Sequence, residues 1–153
     1  MDSIILQPIA FVHSTRTALE DDNWDAEDAY IELTDQFGVE ALLGLEEFSH
    51  AEIVFSFHRA DPERIETGSR HPRGNIDWPK VGIFAQRGKN RPNHLGLAVV
   101  KIERVEGRRI YVRGLDAIDG TPVLDIKPWV REFGPRGEIV QPQWMSELMA
   151  RYW

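Results

Sequence analysis

Apolar and polar positions alternate with a period of two along much of this chain, which predicts β-strands. The clearest case is 51–58 (AEIVFSFH), with Ile53, Phe55 and Phe57 on one face. Residues 4–12 read as a first strand, interrupted by Pro8 and therefore at a sheet edge. A short strand follows at 29–33 and another at 81–86. Residues 97–105 and 109–115 pair as a hairpin around Gly107. An Asp-Gly turn within 116–128 leads into a last short strand.

Helical periodicity occurs twice. Over 35–47, Asp35 is a possible N-cap, and Val39, Leu42 and Leu43 form one stripe. Near the C-terminus, about 143–153, Met145, Leu148, Met149 and Tyr152 share a face. The segments 20–28, 59–80 and 87–96 read as loops, the second long enough to suggest a function. Strands that follow one another without helical crossovers exclude a doubly wound parallel sheet. The expected fold is mostly β, a single antiparallel β-barrel with short peripheral helices, and residues 1–153 are expected to form one domain.

Composition changes this picture little. Of 153 residues, 42% are hydrophobic, enough for a core without covalent staples. The absence of cysteine excludes disulfides, thiolate metal sites and cysteine nucleophiles. The N-terminus does not have the pattern of a secretory signal, and no apolar run has the length of a membrane span, so a cytoplasmic protein is expected. Charge matters more. The net formal charge of −7 argues against a polyanionic partner. Carboxylates, however, cluster in 20–28 (EDDNWDAED), whereas 59–113 is predominantly basic, so one face could still attract phosphates.

The common cofactor fingerprints are missing. No GxGxxG follows a strand, QRGKNR lacks the upstream glycine of a P-loop, and the five histidines include no HExxH. No metal site is expected. Two segments remain: FAQRGKNRPNHLGLAVV (84–100) and GLDAIDGTPVLDIKPWV (114–130). They read as two loops at one end of a barrel. The first offers Arg87, Lys89 and Arg91 as donors, with Asn93 either shaping a turn or reading a ligand. The second offers Asp116, Asp119 and Asp125 to balance a cation, a ribose or an arginine. Ordinary turn chemistry and mutual charge pairing account equally well for these residues.

F-A-x-R-x-x-x-R-P-N-x-x-G-L followed by G-L-D-A-x-D-G-T-P-V-L-D-I-K-P-aromatic resembles the TrmO/TsaA-like family, and G-L-E-x-F-S-H…F-x-F-H at 44–58 belongs to the same pattern. The resemblance runs from about residue 4 to residue 130. It implies a β-barrel that binds S-adenosylmethionine (S-adenosyl-L-methionine), a homodimer with cofactor sites near the interface, and N6-methylation of threonylcarbamoyladenosine beside the tRNA anticodon. Matched residue by residue, it implies cofactor contacts at His58, Arg59, Arg87, Leu97, Asp119, Gly120, Thr121 and Pro122. Arg91, Asn93 and Lys127 match as substrate-side positions. The sequence departs from the family at the usual R-Q-P motif, replaced by the acidic stretch around Trp24. It departs also at Gln86-Arg87-Gly88-Lys89 for T-R-S-P and at His94 for proline. The extra C-terminal domain of longer members is expected to be absent.

Methyl transfer from a sulfonium needs in-line alignment and removal of one proton. Asp119 and Asp125 are the candidates for that proton, with His58 and His94 behind them. Trp24, Trp78 and Trp129 could stack a base, or simply pack. Methylation of a small molecule or another RNA, and a non-catalytic cofactor sensor, are the alternatives.

Overall fold

A computed structural model describes all residues, 1–153. Eight strands form: β1 (Ala10–Ser14), β2 (Ala29–Leu33), β3 (His50–Ser56), β4 (Ser69–Arg70), β5 (Val81–Gly82), β6 (Leu95–Glu106), β7 (Arg109–Arg113) and β8 (Pro122–Pro128). Six close into an antiparallel barrel in the order β1-β2-β7-β6-β3-β8, while β4 and β5 make a separate ribbon. The only α-helix is α1 (Gln143–Met149); the other helical pieces are single 3₁₀ turns. The barrel expected from the alternation is therefore the observed fold.

Alternation explains the closure. Every second residue points inward, and those residues are apolar: Ala10 and Val12, Ile31 and Leu33, Ala51, Ile53 and Phe55, Ala98 and Val100, Ile110 and Val112, Val123. Six strands enclose so little space that side chains fill the lumen. The tightest point lies between β3 and β6, where Phe55 is paired with Gly96. A Cβ added at Gly96 would lie 2.4 Å from Phe55 Cε2, so the aromatic ring occupies the volume a side chain would need.

Several local expectations fail. Residues 4–9 are not strand. Ile9 still donates to Val123 O (2.8 Å), but Pro8 cannot donate to the ladder, and Ile4 and Ile5 are exposed. The helix expected over 35–47 is two 3₁₀ turns, Val39–Leu42 and Leu45–Glu47, separated at Gly44, whose φ of 89° ends any helix. Asp35 pairs with Arg108 (3.1 Å) and caps nothing. Of the expected stripe only Leu42 is buried; Val39 and Leu43 face solvent. The strand expected at 81–86 stops at Gly82 and becomes a 3₁₀ turn, Ile83–Ala85. The C-terminal helix stops at Met149, short of Tyr152.

Gly96→Ala should destabilise the barrel by about 1–3 kcal/mol through overpacking against Phe55. Denaturant unfolding checks this, and an unchanged midpoint would refute the steric account.

Candidate functional site

Antiparallel pairing fixes where the long connections lie. Ser14 pairs with Ala29, Ser56 with Leu95, and Phe11 with Pro122. The ends of β1, β3 and β7 and the starts of β2, β6 and β8 therefore share one rim. The connections 15–28, 57–94 and 114–121 all leave from it. The C-terminal segment returns to the same rim, where Trp78 Nε1 donates to Glu147 Oε2 (2.8 Å) and Asn23 N to Arg151 O (2.8 Å).

One arginine organises the first connection. Arg16 is almost fully buried; its Nε donates to Glu27 Oε1 (2.9 Å). Its other nitrogens donate to the carbonyls of Glu20 (3.1 Å), Asp22 (2.8 Å) and Asn23 (3.0 Å). Its guanidinium lies 3.9 Å from the Trp24 ring centroid. The acidic stretch is thus a folded loop around a buried cation. Trp24 is itself buried, with one face covered by Arg16, and does not offer the free ring a stacked base needs.

The 59–80 connection is also ordered. Asp61 caps a 3₁₀ turn by accepting from Glu63 N (2.9 Å), Pro72 is buried, and β4 pairs with β5. Gln86 is buried and its amide donates to Arg70 O (3.1 Å) and Val81 O (3.0 Å), holding the ribbon to the next loop.

Between these connections lies a cavity of about 740 Å³, within the usual range for small-ligand sites. Phe55, Phe57, Leu97, Ala117 and Ile118 form apolar walls on the barrel side. Trp144, Met145, Leu148, Met149, Tyr152 and Trp153 form the wall from the C-terminal segment. Arg59, Arg70, Arg73, Arg87 and Lys89 stand around it, with Glu20 and Asp21 from the acidic loop.

Of the residues singled out from sequence, His58, Arg59, Arg87, Leu97 and Thr121 line this one space. Arg87 Nη2 donates to Leu97 O (2.8 Å), and Arg59 Nη1 to Thr17 O (2.8 Å). Thr121 is buried with its hydroxyl donating to Ile118 O (2.7 Å). Gly120 and Pro122 flank Thr121 without lining the cavity, and a Cβ at Gly120 (φ 80°) would lie 3.9 Å from His58 Nε2. Burial, then the neighbouring Arg59 charge, lowers the His58 pKa below its ordinary 6.5, so the ring is neutral near pH 7.

The remaining residues lie outside the lining. Asp119 Oδ1 accepts from Ser14 N (3.0 Å) and ties β1 to the turn. Asp125 accepts from its neighbour Ile126 N (2.9 Å) and pairs with Lys127 (2.9 Å) on the barrel's outer surface. Arg91 braces its own loop through Gln86 O (2.6 Å). Asn93 (φ 64°) and His94 (φ 50°) make a left-handed turn into β6. Trp78 is engaged with Glu147, and Trp129 continues β8 with its N–H on His50 O (2.9 Å).

Of the three aspartates in the second segment, Asp116 is the one in the cavity lining. Its Oδ2 accepts from the Tyr152 hydroxyl, while its Oδ1 is buried without a partner. Burial pushes Asp116 above the usual carboxylate range, opposed by the Tyr152 hydrogen bond, then by its own backbone N–H and the Arg87 charge. Burial and the adjacent carboxylate likewise raise the Tyr152 phenol. Trp24 Nε1, in the same lining, is a buried donor without a partner. The lining combines apolar walls, a neutral imidazole, the Asp116 carboxylate and flanking arginines, a composition suited to a small ligand with polar and charged groups. No cluster of His, Asp or Glu is arranged to hold a metal ion.

These features define a closed β-barrel with a cavity built on its rim by loops. The family model of the tRNA-methyltransferase O N-terminal domain matches residues 12–134, and the chain belongs to that family. It is 42% identical over 102 residues to the human tRNA (adenine(37)-N6)-methyltransferase, covering 67% of this chain and 23% of that protein. It is 34% identical over 149 residues to a Pyrococcus abyssi protein named a probable S-adenosyl-L-methionine-binding protein, covering 94% of this chain and 77% of the other. The crystal structure of TrmO from Pseudomonas aeruginosa superposes with a TM-score of 0.74 at 32% identity, covering 91% of this chain and 61% of that one. The chain thus spans about a quarter of the human relative and three-fifths of the bacterial structure.

The Arg16–Glu27 contact has a pH signature. Hydrogen bonds from Thr15 and then Arg16 hold Glu27 below its ordinary 4.5. A depressed folded-state pKa stabilises fully above the unfolded value and is lost as pH falls through the folded one. The stability gap between wild type and Glu27→Gln should be constant from pH 7 to about 5.5 and close below about 4.5. A gap that does not narrow at all as pH falls below about 4.5 in denaturant titrations would contradict the assignment.

Proposed function

We propose that this chain is an S-adenosylmethionine-dependent methyltransferase acting on an adenine N6 of tRNA, the activity named for its mammalian relatives. The observation that carries the reading is the shared cavity of Arg87, His58 and Thr121, all inside the family-matched residues. S-adenosylmethionine would supply an electrophilic methyl group on a sulfonium. The chain's residues supply its surroundings. Arg87 and Arg59 offer guanidinium forks for a carboxylate or phosphate. The neutral His58 ring adds no repulsion toward a sulfonium. Phe55, Phe57 and Leu97 exclude water from the reacting atoms. Gly120, in the left-handed region, lets the Asp119–Pro122 turn pass close to His58.

The substrate reading rests on charge placement. Arg59, Arg70, Arg73, Arg87 and Lys89 collect on the cavity rim despite the net charge of −7. Much of the opposing charge is engaged: Asp22 holds Arg73 (2.9 Å), Glu27 holds Arg16, and Asp28 holds Arg113 (2.9 Å). A basic rim around a nucleoside-sized cavity suits a polyanion that presents one base. Residues 1–153 act as one domain in this reading, in the cytoplasm where tRNA is modified. Assembly as a homodimer is part of the proposal. The outward side chains Leu95, Leu97 and Val99 of β6, with Phe84, leave an apolar strip beside the cavity.

Incubation with tritiated S-adenosylmethionine and tRNA lacking this methyl group should label adenine N6. Labelling of a small molecule or another RNA instead would sink the tRNA reading. Arg87→Ala should weaken S-adenosylmethionine binding roughly tenfold in calorimetry, since it loses a charged donor and the tether to Leu97. Affinity for tRNA should fall steeply between about 50 and 200 mM salt. A flat response would remove the basic rim from the interface.

A further inference from the structure

The family match ends at residue 134, yet one wall of the cavity comes from residues 144–153. That wall is attached by specific bonds. Glu147 receives Trp78 Nε1, Arg151 O receives Asn23 N, and Tyr152 O receives Trp24 N (3.0 Å). The fourth attachment, the Tyr152 hydroxyl on Asp116 Oδ2, joins this wall to the loop between β7 and β8. It also fixes the carboxylate so that one oxygen is satisfied and the other is not.

An unsatisfied buried carboxylate oxygen is costly, because it has lost water and gained nothing. Natural interiors rarely leave one without a compensating partner. Here Asp119 and Asp125, the two other aspartates of the same segment, are both engaged on backbone N–H groups. Asp116 and Arg87 line the same cavity, and of the Asp116 carboxylate oxygens Oδ1 has no donor. The cavity that Asp116 lines is the space from which a bound ligand can supply that donor.

We propose that Asp116, aligned by Tyr152 of the C-terminal segment, is a recognition residue of this site whose Oδ1 accepts an N–H or O–H of the S-adenosyl ligand. This deepens the methyltransferase reading and rests on it for the ligand's identity. Asp116 touches the ligand; Tyr152 is a positioning residue that acts through it. The ligand has two groups with the required chemistry, its ammonium and its ribose hydroxyls. Either one would be held by the same oxygen.

Calorimetry on the full chain separates the cases. Failure of the wild type to bind S-adenosylmethionine would sink the functional reading itself. Given wild-type binding, Asp116→Asn should raise Kd about 10- to 100-fold, the loss expected for a charged hydrogen bond. An equal loss for 5′-methylthioadenosine, which keeps the ribose but lacks the amino-acid part, assigns the ribose. A loss confined to S-adenosylmethionine and S-adenosylhomocysteine assigns the ammonium. A Kd within twofold of wild type overturns the proposal.

Tyr152→Phe tests the positioning role and keeps the proposal decidable if Asp116→Asn does not fold. The phenol hydrogen bond, Asp116's own backbone N–H and Arg87 hold the Asp116 pKa down against burial; Asp21 and Arg73 are the other charges that act on Tyr152. Without the hydroxyl, Asp116 protonates at higher pH. The decline in affinity on acidification should therefore start at higher pH in Tyr152→Phe than in wild type. Superimposable pH profiles would show Tyr152 to be packing alone and would overturn the alignment.

Discussion

A six-stranded barrel has no interior to spare, and that constraint decides where this protein can do chemistry. Phe55 already fills the space beside Gly96, and the inward side chains of all six strands are apolar and buried. A ligand of nucleoside size must sit outside the lumen, on a rim. Antiparallel closure then selects which rim, because the parity of the strands sends connections 15–28, 57–94 and 114–121 to the same end. The barrel is a rigid base, and its long loops are the variable walls.

Loops that build a cavity need their own cores, and here polar groups provide them. Arg16 gathers three carbonyls, one carboxylate and an indole face around a single guanidinium. A bare arginine buried in this way would be expensive; one with four of its five N–H donors placed is a scaffold. The same economy explains how a chain of net charge −7 presents a basic rim. Glu27, Asp22 and Asp28 of the acidic stretch are turned toward Arg16, Arg73 and Arg113, while Arg59, Arg87 and Lys89 stand around the cavity with Glu20 and Asp21.

Legibility in the sequence followed the range of the interactions involved. Strands β2, β3, β6 and β7 were readable because period-two alternation is local and the barrel rewards it. The 35–47 helix was misread because the apolar spacing was helical while Gly38 and Gly44 divided it into turns too short to propagate. The two-loop site was readable as turn chemistry joined by one rim. Which of its aspartates lines the cavity was not. Asp116, Asp119 and Asp125 differ only in their partners, and Asp116's partner is Tyr152, 36 residues away. Arg16 was equally silent, since nothing near it in sequence distinguishes a buried arginine from an exposed one.

The C-terminal segment shows the limit of reading a site from a family pattern. Its apolar face, with Met145 and Leu148, looked like ordinary helix packing, and it does pack. What it packs against is the open side of the cavity, so the same residues that bury the helix also enclose the site. Seven residues of helix have little stability of their own. The segment therefore depends on its attachments to Trp78, Asn23, Trp24 and Asp116, all of which belong to the three rim connections. Site and segment are consequently one cooperative unit: whatever fills the cavity and satisfies Asp116 also strengthens the surface on which the helix rests.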